Sequence, residues 1–427
     1  MRTDFSTEIS FPRMVRVQQT IEAPKVASLN DEMEDQLKRI RFHTLIRRGD
    51  RIGITVGSRG IASITQLLGI LIDAVKSAGG KPYIIPSMGS HGGGEAKGQV
   101  QVLKSLGIDE QSLGIPIRAC TESAHIGTTE SGIPVYVNRE ALSKSDKLIL
   151  FNRVKSHTEF SAHVESGIYK MCAVGLGNPQ GAKVVHEFGL DLGYEKTIVD
   201  VGGYIIEHLP VVCAVATVEN YYHEVSNVKA MLPRDILSEE KKLLQIAKKN
   251  VGKLPFDTMD LLIVDRIGKN ISGAGMDTNV IGRLMVYGQR DFSKPDIKRI
   301  VVLDLAEESH GNAIGIGLAD YTVKRVLDKI DRQPTYLNCI TAQTPEKARL
   351  PIWFQTDREA IGAALVSIGS VRPQDARVAH IKNTEEIRYL NISESLLYEA
   401  EKRSDLRILG KPAPMKFDEN GNCKSSL

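Results

Sequence analysis

Residues 51–86, RIGITVGSRGIASITQLLGILIDAVKSAGGKPYIIP, contain the pattern that sets the fold class. Arg51–Val56 is a short apolar run with no helical period and reads as a buried strand. From Ser63 to Ser77 the apolar residues take helical spacing, and Gly79-Gly80 stops the helix. Pro82–Pro86 is a second short strand. Strand, crossover helix and strand in one stretch are the signature of a mostly parallel sheet.

The same alternation continues outward. Lys147–Phe151 (KLILF) and Pro210–Val218 (PVVCAVATV) are further strands. Between Asp235 and Lys253 the chain turns strongly charged, with few apolar positions, and reads as a domain connector. The pattern then restarts with strands at Asp260–Val264, Arg299–Leu303 and Arg377–Ile381 and a helix from about Ala319 to Ile330. The expectation is an α/β protein of two domains with mostly parallel sheets. One spans residues 1–250 and a smaller one residues 251–427, with a polar tail that frays from Asp418.

Composition narrows the function classes. The chain has 427 residues, 42% of them hydrophobic and 25% charged, as in ordinary globular proteins. Lys and Arg total 55 against 52 acidic residues, and aromatics make up 5%. Neither the basic surface nor the stacking platform of a nucleic-acid binder is present. Cys120, Cys172, Cys213, Cys339 and Cys423 form no CxxC pair, so a reducing compartment is expected. No apolar stretch approaches the ~20 residues that span a bilayer, and the first residues lack a secretory apolar core. Cytoplasm is the expected location, with no membrane partner.

Loops that follow strands in such sheets lie where α/β folds bind ligands. Ser58-Arg59 occupies the first, between a strand and a helix. Backbone amides there can meet an anion, and the Arg59 fork fits a carboxylate or phosphate; a tight turn with a solvated Arg is the equal alternative. His91 stands in the second loop, Ser87–Gly94, among four glycines, as a general base or as part of a phosphate cradle. The densest segment is Asn152–His186, NRVKSHTEFSAHVESGIYKMCAVGLGNPQGAKVVH, with His157, His163, His186, Lys155 and Lys170. Its Gly175-Leu176-Gly177 with Gly181 is GxGxxxG, a weak nicotinamide signal, yet its content suits a loop that approaches a phosphate. His163 reads as structural. His186 either caps a helical turn or binds a metal. The clusters Glu307–Asn312 and Asp277–Asn279 read as structural, serving a helix end and a turn.

Taken together, Arg59, the Gly-Ser-His loop with His91, Lys-Ser-His with His157, Ser-Gly-x-x-Lys with Lys170, and His186 resemble the nickel-pincer-dependent lactate racemase family. Five features in order are far more specific than any single motif. The resemblance implies a racemase or epimerase of a 2-hydroxy acid, an isomerase with its active site in an interdomain cleft. Residues 1–250 would be the cofactor and catalytic domain. Lys170 is then the covalent anchor of a sulfur-bearing pyridinium mononucleotide and His186 its nickel ligand, with Ser58 and Gly177 in the cofactor-binding set. His91 and His157 become the acid/base pair, and Arg59 the anchor of the substrate carboxylate. Neutral imidazole suits a planar nickel site with soft sulfur donors. Cofactor-synthesis proteins are implied as partners.

Two departures accompany the resemblance. Asp277-Thr278-Asn279 is followed by Val280-Ile281-Gly282-Arg283, without the Gln and Lys of lactate-specific members, and Ile168-Tyr169 precede Lys170 where an Arg is expected. They point away from lactate to a different or larger hydroxy acid, with Arg283 supplying the lost cationic contact. A hinge is expected near residues 235–255. The competing readings are a nucleotide-dependent oxidoreductase that uses the GxGxxxG segment, and a non-catalytic carrier of the nickel cofactor.

Overall fold

The computed structural model describes residues 9–423. By its internal contacts the chain forms two compact units: Glu22–His157 with Ser161–Val251, and the chain up to Ile21 with Thr158–Phe160 and everything from Gly252 onward. Both are mixed α/β, and their sheets are mostly parallel. Among the described residues no helix is long and apolar enough to cross a membrane.

In the first unit the sheet runs Lys81–Pro86, Arg51–Val56, Lys147–Arg153, Val211–Glu219, Val225–Met231. The first four strands are parallel, and Val225–Met231 returns antiparallel. Strands covered on both faces read as continuous apolar runs, which is why RIGITV and KLILF were legible. The helix Ile64–Ser77 buries Ile64, Leu67, Leu68, Leu71, Ile72 and Val75, a single stripe at helical spacing. Its end needs a left-handed residue, which Gly79 supplies at φ 86°, and the Gly79 and Gly80 amides close back on the Lys76 and Val75 carbonyls.

The stretch read as a connector is instead a packed helix, Ile236–Asn250. Ile236, Glu240, Leu243, Leu244 and Ala247 share its buried face. Total charge misled; the apolar residues are few but fall on one stripe. Most of the expected hinge segment is therefore part of the first unit's core.

The second unit is built on a sheet ordered Ile352–Phe354, Tyr321–Val323, Asp296–Val302, Thr258–Val264, Val378–Ile381, Tyr389–Ser393, Arg13–Gln19, Leu406–Ile408, with Ala413–Pro414 also pairing with Arg13–Gln19. The strands through Val378–Ile381 are parallel, and the rest are antiparallel. This unit resumes at Gly252, and the N-terminal segment belongs here and not with residues 22–251. Arg13–Gln19 hydrogen-bonds between two strands of the C-terminal part, with Val15 and Val17 buried. Thr158–Phe160 also counts with this unit: the Thr158 carbonyl accepts from Thr278 Oγ1 at 3.1 Å and Lys347 Nζ at 3.0 Å.

Two further expectations are corrected. The helix placed at Ala319–Ile330 begins as a strand, Tyr321–Val323, and only Lys324–Lys329 is helical. The β-branched Thr322 and Val323 favour the pleated surface. The tail does not fray through Cys423: the Cys423 amide donates to Asp357 Oδ2 at 2.8 Å, and Arg325 Nη1 donates to Asn422 Oδ1 at 2.9 Å. Residues 424–427 lie outside the described residues.

The N-terminal strand yields a stability prediction. Val17 is fully buried, in register with Leu390 and Ile408. Val17→Ala removes two buried methyl groups and leaves a cavity, at a cost of about 2 kcal/mol. Gln18→Ala on the other face should stay within ~0.5 kcal/mol. Urea unfolding of the full chain measures both.

Candidate active site

Lys81–Pro86, Arg51–Val56 and Lys147–Arg153 are adjacent and parallel, so their carboxyl ends share one edge of the sheet. The loops leaving that edge carry His91, Ser58 with Arg59, and His157. They crowd together: a Cβ on Gly57 would stand 3.6 Å from Asn152 Oδ1 and 3.9 Å from the Ser87 carbonyl. The Ser58 hydroxyl and His91 Nδ1 hydrogen-bond directly. The His91 ring is exposed, and its amide donates to the Met88 carbonyl at 3.1 Å.

His157 is buried, and the polypeptide around it is fixed by Glu165. One carboxylate oxygen accepts from the His157 amide at 2.6 Å. The other accepts from the Ala162 amide at 2.9 Å and meets Lys248 Nζ at 2.5 Å. Backbone bonds between Lys155 and Ser166 close the same loop, and Asn152 Nδ2 donates to the Gly167 carbonyl at 2.8 Å. The chain then enters a short helix, Ile168–Lys170, that continues as a π-helical segment, Met171–Leu176. The half-buried Lys170 points Nζ at His157 Nε2, and the two nitrogens hydrogen-bond directly.

The His91 loop and the Lys170 helix are also joined. The Gly89 amide donates to the Gly175 carbonyl at 3.1 Å. Any side chain at 175 would put Cβ 2.4 Å from the Ser87 carbonyl, so glycine is required for this approach. Sequence reading took Gly175, Gly177 and Gly181 for a loop around a phosphate. Gly175 and Gly181 are helical and Gly177 joins their two helices; the tight neighbours of Gly177 are the Ala173 carbonyl and Gly181 Cα, with Ser123 Oγ donating to the Gly177 carbonyl at 3.0 Å. The strand–turn–helix context a nicotinamide fingerprint requires is absent there.

Arg59 is exposed as a residue, but protein crowds its guanidinium. That desolvation, and then the neighbouring charge of Arg153, push its pKa below the usual arginine value. Arg153 is itself neutralised by Glu219, whose other oxygen accepts from the Ala62 amide at 2.7 Å. No carboxylate pairs with Arg59 among the described residues, which leaves a cation at the strand edge able to meet an anion.

His186 does not end a helical turn. It lies within the helix Asn178–Leu192, half-buried, with its ring edge-on to Tyr194 at a centroid distance of 6.5 Å. His163 is exposed, and its backbone amide, not its ring, is engaged by Glu195 at 3.0 Å, consistent with a structural reading. Arg283 is corrected: its guanidinium is committed to Asp320 at 2.9 Å and to the Leu318, Ile297 and Lys298 carbonyls, so it has no fork to offer a substrate. Asp277 caps the helix Thr278–Ile281, as expected. Among the described residues no group of three or more His, Cys, Asp or Glu side chains could hold a metal alone. A metal here would need donors from a cofactor.

One residue of consequence was missed. Glu240, buried on the helix Ile236–Asn250, accepts from the amides of Ile168 at 2.8 Å and Tyr169 at 3.1 Å, capping the turn that presents Lys170. The signal was available: Ile236, Glu240, Leu243, Leu244 and Ala247 place a carboxylate on the apolar stripe.

Comparison with known proteins finds two likenesses. Residues 3–181 match the family model of the lactate racemase N-terminal domain. The fold is similar to the lactate racemase apoprotein from Thermoanaerobacterium thermosaccharolyticum, with a TM-score of 0.53 at 14% identity over 86% of this chain and 94% of that one. No curated protein sequence matches.

Burial pushes the Glu240 carboxyl up to about 7, against the lowering effect of the two amide bonds. A raised carboxyl pKa means that the folded state prefers the neutral form. Its contribution to stability is whole below pH ~4.5 and is lost as the pH rises through 7, by about 3 kcal/mol. Glu240→Gln cannot ionise. Relative to the parent protein it should therefore gain about 3 kcal/mol between pH 4.5 and pH 8 in urea unfolding; a constant difference across that window would contradict the assignment.

Proposed function

We propose, for a chain whose residues 3–181 carry a lactate racemase N-terminal domain, that it racemises or epimerises a 2-hydroxy acid with a lysine-anchored nickel-pincer nucleotide. The observation that carries this reading is the direct bond between His157 and Lys170, beside a second histidine, His91, on the same strand edge. An anchoring amine and two imidazoles there match what the reaction asks of the protein.

The residues fit the group. A pincer brings most of its own donors and needs from the chain one acylable amine and one imidazole, and the chain offers no self-sufficient metal cluster. Lys170 would hold it through an amide-type link, His186 would complete the nickel shell, and Ser58 and Gly177 would border it. When bound, it supplies reversible hydride acceptance at the substrate carbon.

The protein's share is orientation and proton handling. Arg59 pairs with the substrate carboxylate, and partial desolvation, although it lowers the guanidinium pKa, strengthens the attraction between the two charges. The hydroxyl groups of the two stereoisomers point to different sides when the carboxylate is fixed, so each needs its own base. His91 and His157 each take a proton from, or return it to, the hydroxyl oxygen on their side, and imidazole suits both directions near neutral pH. Ser58 holds the His91 ring through Nδ1. Arg283 plays no part, so the departure from the lactate-specific pattern leaves Arg59 as the carboxylate anchor. Proteins that build the cofactor are the expected partners, and the cytoplasm the expected location.

The test is to produce the chain together with the cofactor-synthesis proteins. A mass increase confined to the Lys170 peptide, with bound nickel, is expected, and both should vanish in Lys170→Ala. The loaded protein should interconvert one enantiomer in a panel of 2-hydroxy acids, read by chiral chromatography. His157→Ala and His91→Ala should each lower kcat ~100-fold or more, while Arg59→Gln should act chiefly on KM. An unmodified Lys170 would overturn the reading. A loaded protein inert to the whole panel would make the chain a carrier.

A further inference from the structure

The geometry points to a second role for His157: it is the general base that activates Lys170 for its own acylation, so that the chain promotes its own covalent loading. This deepens the proposed function and rests on that reading for the natural acyl donor, but its physical basis is the bond between the two side chains.

An ammonium has no lone pair and cannot attack an acyl carbon. The Nζ–Nε2 contact requires a proton of one nitrogen to face a lone pair of the other. Ammonium against imidazolium, the doubly protonated state, is therefore incompatible with it. The pair already holds the arrangement in which the amine can shed a proton to imidazole.

Both partners are set by the backbone and not by chance rotamers. Glu165 fixes the His157 amide, and Lys248 fixes Glu165. Glu240 fixes the two residues before Lys170. Lys170 is half-buried and not sealed in the core. Such an arrangement is what an acylation site requires and what a purely structural lysine does not.

The step balances without any redox partner. The lysine nitrogen bonds to the carbonyl carbon of an activated acyl compound. The bond from that carbon to its leaving group breaks, and the leaving group departs with the electron pair. The nitrogen sheds one proton to His157 Nε2 before it attacks and a second as the amide forms, and each passes from the imidazole to solvent. The product amide nitrogen is neither basic nor cationic, so it no longer exchanges a proton with Nε2. One imidazole thus serves loading first and turnover afterwards.

The experiment uses the full chain made without the cofactor-synthesis proteins, treated at pH 7 with p-nitrophenyl acetate. Peptide mass spectrometry reads the acetylation rate of each lysine. Lys170 is expected to react ~10-fold or more faster than the exposed Lys38 and Lys242, and His157→Gln should lower its rate ~100-fold while leaving theirs unchanged. If His157→Gln does not fold, the unaltered chain still decides through the ratio of Lys170 to Lys38. A Lys170 rate no greater than that of the exposed lysines, or one unaffected in a folded His157→Gln, would overturn the inference. Fast acetylation without cofactor loading would keep the inference and remove the racemase reading; loading on a slow Lys170 would do the reverse.

Discussion

The Glu240 carboxylate has exchanged water for the two amides of Ile168 and Tyr169, and the placement of Lys170 depends on that exchange. Charged hydrogen bonds of this kind contribute roughly 1.5–3 kcal/mol each, whereas burying a carboxylate costs several. A pKa raised to about 7 shows that the amides offset the desolvation only in part. The helix Ile236–Asn250 therefore contributes more than apolar packing. It carries a polar group through the core to cap the turn from which the reactive lysine projects. Either protonation state keeps oxygen lone pairs for the two amides, so the turn stays capped across neutral pH while the stability of the unit changes.

The same edge of the sheet concentrates other departures from ordinary backbone economy. A π-helical stretch follows Lys170, Gly175 sits against the Ser87 carbonyl, and Asn178 adopts φ 54° where the next helix begins. Ser156 and Thr217 bury hydroxyl groups without a hydrogen-bond partner. Each costs something an idealised α/β unit would avoid. π-turns inside helices recur at functional sites because they shift side chains out of regular register.

What was legible in the sequence follows from how local the determinants are. RIGITV, KLILF and the Ile64–Ser77 stripe are decided by burial on both faces or one, and the sequence shows that directly. Their carboxyl-end loops then pointed to Arg59, His91 and His157, which the structure brings to one edge. Arg13–Gln19 was missed because its partners, Tyr389–Ser393 and Leu406–Ile408, lie at the other end of the chain, although the alternation of Val15 and Val17 was visible. Glu240 was missed because net charge was weighed where position on the helical stripe decides. Arg283 was misassigned for the opposite reason. A lone arginine near a gap in a motif invites a functional role, but the carbonyls and the carboxylate that consume its fork come from segments no spacing could have named.

On the proposed function, one histidine would serve two stages without conflict. A base positioned for an amine and a base positioned for a substrate hydroxyl need the same thing, an imidazole nitrogen with a fixed direction and a titration range near neutral. Glu165 fixes the His157 main chain through its amide. Fixing the main chain keeps the ring's place while its proton chemistry changes with what stands opposite: an amine before loading, a hydroxyl afterwards.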